Sequence, residues 1–145
     1  MASTPPAPGT IRTLPSWLLG RAAARGRGLV AEALAGEDMK MWHHVVLSAV
    51  ADRGPVAQAE LGRTVSLDPK DMVGIINDLQ SAGLVLRAPD PHDRRKNAIT
   101  VTDEGQAAVE RCARAAQRAN SELLAPLSAA ERAQFLGMLQ RVVEG

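Results

Sequence analysis

The sequence predicts a mainly α-helical, α+β fold: a winged helix-turn-helix with a two-stranded wing and long helices at both ends. Three observations predict it. The patterned segments run helix, helix, helix, helix, hairpin, helix, helix. Two short helices joined by a tight turn stand directly before the hairpin. The hairpin's tip, "DPHDRRK" at residues 90–96, holds five charged side chains in seven positions.

The opening "MASTPPAPGT" is rich in Pro and Ala, and residues 1–14 are expected to be a disordered lead. "LPSWLLGRAAARGRGLVAEALAGED" predicts the first helix, capped by Ser16 after Pro15. Gly26 and Gly28 weaken its middle by about 1 kcal/mol each relative to Ala, which marks the place for a kink or break. "MKMWHHVVLSAVADRG" predicts a second helix. Trp42, Val46, Ala49 and Val50 repeat at helical spacing on its apolar face, with Met41 and Val45 beside them, and Gly54 stops it. "VAQAELGRTV" is a short third helix. "SLDPKDMVGIINDLQSAGLV" is the clearest of all. Asp68 is its N-cap, Pro69 suits the first helical position, and Asp71 sits in the positive first turn. Met72, Ile75, Ile76 and Leu79 form its apolar stripe, and Gly83 closes it. "LVLRAP" and "NAITVT" are strands flanking the charged tip. Thr102 caps a fifth helix with Val109, Cys112, Ala113, Ala116 and Leu123 on one side. Pro126 interrupts, and "SAAE" (Ser128 to Glu131) is a capping box that opens a sixth helix. Phe135, Leu136, Leu139, Val142 and Val143 make its apolar face.

The chain has 145 residues, which suits one domain, or one domain plus oligomerisation helices. Its aromatics are Trp17, Trp42 and Phe135, so the core must be built of Leu, Val, Ile, Ala and Met. A net charge of +1 announces no polyanion partner, and local clustering has to carry that argument. The single cysteine, Cys112, rules out an internal disulfide and fits a reducing cytosol. It reads as a buried small hydrophobe rather than a redox sensor. The apolar runs are too short for a membrane span or a signal peptide, so a cytoplasmic protein with no membrane partner is expected. Catalysis has no footing here. There is no nucleophile–base pair, and the glycines of "GRAAARGRG" follow no strand. His43 and His44 point about 100° apart on a helix and do not share an ion, even with His92 as a third ligand. No metal or other cofactor is expected.

Three pieces together resemble the MarR family of transcriptional regulators. They are "QAELGRTVSLDPKDMVGIINDLQSAGLV", the hairpin "RAPDPHDRRKNAITVTDEG" and the two long flanking helical regions. Asp93-Arg94-Arg95 matches the family's D-R-R wing signature, and "ITVTDEG" its strand-to-helix exit. The likeness runs from about residue 15 onward. It implies that residues 39–102 are the DNA-binding winged helix-turn-helix, and that residues 15–38 and 103–145 are dimerisation helices. It also implies a ligand-responsive regulator, more usually a repressor. Many regulators of this kind bind a small aromatic or anionic effector where the dimer helices meet the DNA-binding lobe.

The charged tip then has a physical purpose. Duplex DNA carries one negative charge per roughly 1.7 Å of axis, so a loop that dips into a groove needs cations. Arg95 is assigned to the minor groove, where a narrow width deepens the negative potential. Asp93 is assigned to orient the wing arginines, since arginine forms a fork with carboxylates. Arg94 and Lys96 meet backbone phosphates. The fourth helix is the recognition helix, with Pro69, Lys70, Val73, Gly74 and Asn77 facing outward. Lys70 meets a guanine edge or a phosphate, Val73 a thymine methyl, and Asn77 an adenine. Arg63, at the end of the third helix, is a further phosphate contact.

The apolar faces of helices one, five and six exceed what a small winged helix covers, which points to a homodimer. A twofold dimer places its recognition helices in successive major grooves, on a pseudo-palindromic operator. Trp17, Trp42, His43 and His44 are the candidate effector contacts; the alternative for the two tryptophans is packing. The rival to a DNA-binding regulator is a winged-helix module for protein–protein contact whose DNA binding is weak or lost.

Overall fold

The computed structural model describes residues 8–145. Its elements are α1 (Pro15–Ala35), α2 (Met41–Arg53), β1 (Val56–Ala57), α3 (Gln58–Val65), α4 (Pro69–Ser81), β2 (Val85–Pro89), β3 (Asn97–Val101), α5 (Asp103–Leu123) and α6 (Ala129–Glu144). They form two compact units. One is Ala31–Gln117; the other joins the chain up to Val30 with Arg118–Gly145. The division falls inside α1 and α5.

The core of the first unit follows from the apolar stripes. Leu47 of α2, Leu61 of α3, Ile76 of α4 and Ile99 of β3 are all fully buried. Each such side chain stabilises the fold by roughly 1.5–3 kcal/mol relative to exposure. On α2 the buried positions are Val46, Leu47 and Val50. Trp42, expected on that face, lies one turn earlier and is 49% exposed.

The β2–β3 hairpin is the two-stranded wing, and a third strand that the sequence did not predict joins it. The sheet has three antiparallel strands in the order β1-β3-β2. Val56 pairs with Ile99 on one side of β3, and Arg87 pairs with Ile99 on the other. Val56 and Ala57 therefore belong to a strand, and α3 begins at Gln58, two residues later than the apolar pattern suggested. A strand of two residues is too short to show a period of its own.

The turn between α3 and α4 is made by Ser66 in the left-handed region, with φ 56°. The Leu67 N–H then reaches the Gly62 carbonyl at 3.0 Å, and α4 starts immediately. Its cap is as expected: the Asp68 carboxylate accepts from the Lys70 N–H at 2.8 Å, with Pro69 in the first turn. Its end is closed by Gly83 at φ 76°, and the Leu84 N–H donates to the Leu79 carbonyl at 3.0 Å.

Thr102 caps α5 and does more than that. Its hydroxyl accepts from the Gly105 N–H at 2.9 Å and donates to the Gly83 carbonyl at 2.7 Å. Gly105 is required here, because a Cβ on it would fall on the Leu84 carbonyl oxygen. The buried face of α5 is Ala108, Cys112, Ala115 and Ala119. Ala113, expected on that face, is exposed. The small residues sit one position away from the predicted stripe because alanine gives a weak periodic signal.

In the other unit, α1 runs unbroken through Gly26 and Gly28. Gly26 has a packing reason: a Cβ there would come within 3.1 Å of the Leu123 side chain. Arg25 also donates to the Leu123 carbonyl at 3.3 Å. Pro15, not Ser16, opens the helix, with the Leu18 N–H bonded to the Leu14 carbonyl. Within the expected disordered lead, residues 1–7 lie outside the described residues. Residues 9–13 form turns, with the Ile11 and Arg12 N–H groups on the Pro8 carbonyl. The Ser128–Glu131 capping box is formed in both directions, at 2.8 and 3.2 Å. Arg132 ties the α5–α6 turn by donating to the Leu124 and Leu127 carbonyls. α6 has no buried residue, and Val143 is 85% exposed.

Candidate nucleic-acid interface

The loop between β2 and β3 is ordered by its own aspartates. The Asp90 carboxylate accepts from the His92 N–H at 2.7 Å, and the Asp90 N–H donates to the Lys96 carbonyl at 2.8 Å. Asp93 accepts from the backbone N–H of Arg95 at 3.1 Å. It also takes the Arg95 guanidinium edge-on, Nε to Oδ1 at 3.1 Å and Nη2 to Oδ2 at 3.3 Å. These bonds from Arg95 hold the Asp93 carboxyl below the usual carboxylate range. The Arg95 side chain remains 90% exposed and that of Asp93 only 30%. One edge of the guanidinium is thus fixed while the rest of its donors face solvent. Arg94 and Lys96 are exposed on the same tip.

On α4, Lys70, Val73 and Asn77 lie one helical turn apart and are exposed. Arg63 and Pro69 border a groove of about 360 Å³ between α3 and α4, with Met72 at its floor. Asn77 is not free. Arg87 of β2 donates through Nη1 to its Oδ1 at 3.1 Å and to Gln80 Oε1 at 3.3 Å. Arg87 was missed by the sequence reading. Strand alternation does carry a signal for it: Arg87 shares the inward face of buried Val85, and an inward cation needs a polar partner.

The expected effector residues are divided. Trp42 and His43 line an open hollow of about 520 Å³ between α2 and α4, with Lys40, Lys70, Ile75 and Asp78. His43 Nε2 is bonded to Asp78 at 2.8 Å, a second partner that the spacing did not reveal, and its Nδ1 is buried without a partner. His44 is not among the lining residues; burial pushes its imidazole below the ordinary histidine range. Trp17 belongs to the other unit, where the Arg21 guanidinium lies 5.3 Å from its ring centre. Cys112 is buried, and that burial raises its thiol pKa. Among the described residues no group of three or more His, Cys, Asp or Glu is placed to hold a metal ion. None of their helices is long and apolar enough to cross a membrane.

A family model described as MarR family matches residues 37–96. The HTH-type transcriptional repressor NicR of Pseudomonas putida is 33% identical over 100 residues, which is 69% of this chain and 63% of that protein. The HTH-type transcriptional repressor Rv2887 of Mycobacterium tuberculosis is 29% identical over 87% of this chain and 91% of its own. Its crystal structure in complex with DNA is similar with a TM-score of 0.76, at 28% identity, over 94% of this chain and 98% of that one. BpsR of Bordetella bronchiseptica is similar with a TM-score of 0.74 and 25% identity, over 97% and 99% of the two chains. Its structure is described as the mechanism for regulation of DNA binding by 6-hydroxynicotinic acid. The chain spans about three fifths of the length of the first curated relatives it matches, 63% and 58%.

Proposed function

This chain belongs to the MarR family, and from that premise we propose that it is a sequence-specific DNA-binding transcriptional regulator. It acts in the cytoplasm as a ligand-responsive repressor and binds a pseudo-palindromic operator as a homodimer. The observation that carries this reading is the wing tip. An arginine is 90% exposed yet held edge-on by an aspartate. A solvated charge run has no reason to fix one guanidinium, whereas a groove-entering arginine gains from a preset direction.

Arg95 enters the minor groove, positioned by Asp93, and Arg94, Lys96 and Arg63 meet phosphates. Lys70, Val73 and Asn77, with Pro69 at the helix start, face the major groove. The solved DNA complex of Rv2887, a protein similar over most of this chain, supports the same use of the fold. Residues 39–102 are the reading region, and the helices at 15–38 and 103–145 join two copies. Support for the dimer is the apolar surface left on these helices: Leu18, Leu19, Leu136, Val142 and Val143 are all exposed.

The effector is a small aromatic or anionic molecule. Trp42 and His43 are its first contacts, with the Lys70 ammonium at the other wall of the hollow. Trp17 and His44 are the remaining candidates. The regulation of BpsR by an aromatic acid supports that class of molecule.

The test is a titration of the purified protein against its own upstream DNA at several salt concentrations, repeated with a panel of small aromatic acids. Binding that falls steeply with salt and is released by one of the acids is expected. Absence of duplex binding at low ionic strength, with salt-insensitive capture of a protein instead, favours the interaction-module reading.

A further inference from the structure

We propose that Arg87 is a positioning residue that sets the polarity of the recognition helix. It fixes the Asn77 amide so that α4 presents hydrogen-bond donors, and the helix therefore selects acceptor-bearing base edges, guanine first. This rests on the DNA-binding reading above.

The argument starts from the chemistry of the pair. An arginine only donates, so the amide atom facing it must be the oxygen. Arg87 Nη1 lies 3.1 Å from Asn77 Oδ1 and 3.3 Å from Gln80 Oε1. Both carbonyls are turned toward β2, and both amide NH2 groups are left for the open side. The Arg87 Nε–H is buried with no partner. The two carbonyls are therefore the partners of a half-buried guanidinium, and turning either amide over would bring N–H against N–H.

The rest of the stripe agrees. Lys70 donates, and Val73 is apolar. Of the acidic residues nearby, Asp68 accepts from the Lys70 N–H and Asp78 is bonded to His43, while the exposed Asp71 projects about 100° round the helix from Lys70, off the Lys70–Val73–Asn77 line. The stripe from Lys70 to Gln80 thus offers cationic and amide N–H groups with a methyl surface between them. In the major groove guanine presents two acceptors, N7 and O6, whereas adenine pairs a donor with an acceptor. The bidentate Asn–adenine contact needs the amide oxygen to accept from N6. Here that oxygen is turned to a cation, so the adenine contact expected of Asn77 from the sequence is replaced by donation to a purine N7 or guanine O6.

The experiment is selection of bound duplexes from an operator library randomised at the positions under α4. It is run on the full chain, on Arg87→Ala, on Arg87→Lys and on Asn77→Asp, with thermal melting of each. The wild type should favour guanine over adenine at one position per half-site by at least about fivefold. Arg87→Ala should bring that ratio close to one, because the amide is released, while Arg87→Lys keeps a donor and restores the preference. Asn77→Asp still accepts from Arg87 but has lost its donors, so it should lose the guanine preference. It sits at an exposed position and carries the test if Arg87→Ala does not fold. An unchanged base preference in Asn77→Asp or in folded Arg87→Ala would overturn the proposal, as would a wild-type preference for adenine there. If the wild type binds no duplex at all, the functional reading fails first and takes this one with it.

Discussion

Replacing Arg95 by alanine removes an exposed cation from the wing and leaves its aspartate behind. The loop Asp90–Lys96 carries three cations and two carboxylates, +3 − 2 = +1 with His92 neutral, and the variant carries 0. Because the Arg95 side chain is 90% exposed and Asp93 accepts from it on two atoms, the loss is of a guanidinium rather than of core packing. The fold should melt as before. In a dimer two cations are lost. A cation in the minor groove displaces condensed counterions as a phosphate contact does, about 0.9 in the slope of log affinity against log salt for each, so the slope should fall by about 1.8. Between 50 and 200 mM salt the variant should then lose roughly tenfold less affinity than the wild type. At fixed low salt its binding should already be weaker, since Asp93 is left unpaired beside phosphate. Fluorescence anisotropy with a labelled operator at four salt concentrations measures both quantities. Arg114→Ala, an exposed arginine on α5, is the comparison. Equal slopes and equal losses for the two variants would refute the assignment of Arg95 to the duplex.

Three further predictions concern the frame that holds the wing. Gly105→Ala should destabilise the fold by roughly 3 kcal/mol, because the obstacle is the Leu84 backbone carbonyl and cannot rotate aside; a loss below about 0.5 kcal/mol in chemical denaturation would contradict that packing. Thr102→Ala removes the cap on Gly105 and the bond to Gly83, and should cost about 1–2 kcal/mol in the same assay; an unchanged midpoint would refute it. The Asp93 carboxyl is depressed by Arg95, so its pair with the wing contributes above the ordinary aspartate range and is lost as pH falls through the lowered folded value. Side-chain NMR of the Arg95 Nε–H should therefore stay constant from neutral pH down through that range and change only in stronger acid. A change already complete within the ordinary aspartate range would refute the pairing.

The helices were legible because their signals are redundant. α4 announced itself by an aspartate cap, a proline, a four-residue stripe and a closing glycine, all of which the structure uses. The Asp93–Arg95 fork was legible because carboxylate and guanidinium chemistry allows few other purposes for an acid in a basic loop. β1 was not, since two residues give no alternation to read. The register of α5 was blurred because alanine and cysteine discriminate poorly between faces. Gly26 and Gly28 were misread as weak points. Propensity speaks only of the isolated helix, whereas Gly26 is set against Leu123. Arg87 and Asp78 were missed for a common reason. Their partners, Asn77 and His43, sit on other elements, and no spacing along the chain records which faces meet.

The Thr102 hydroxyl joins three things that the chain keeps apart: the carbonyl that ends the α4 turn, the exit of β3, and the first turn of α5. α5 continues from that knot for 21 residues. The end of α4, the exit of β3 and the start of α5 therefore share one side chain, and displacing any of them breaks a bond to another.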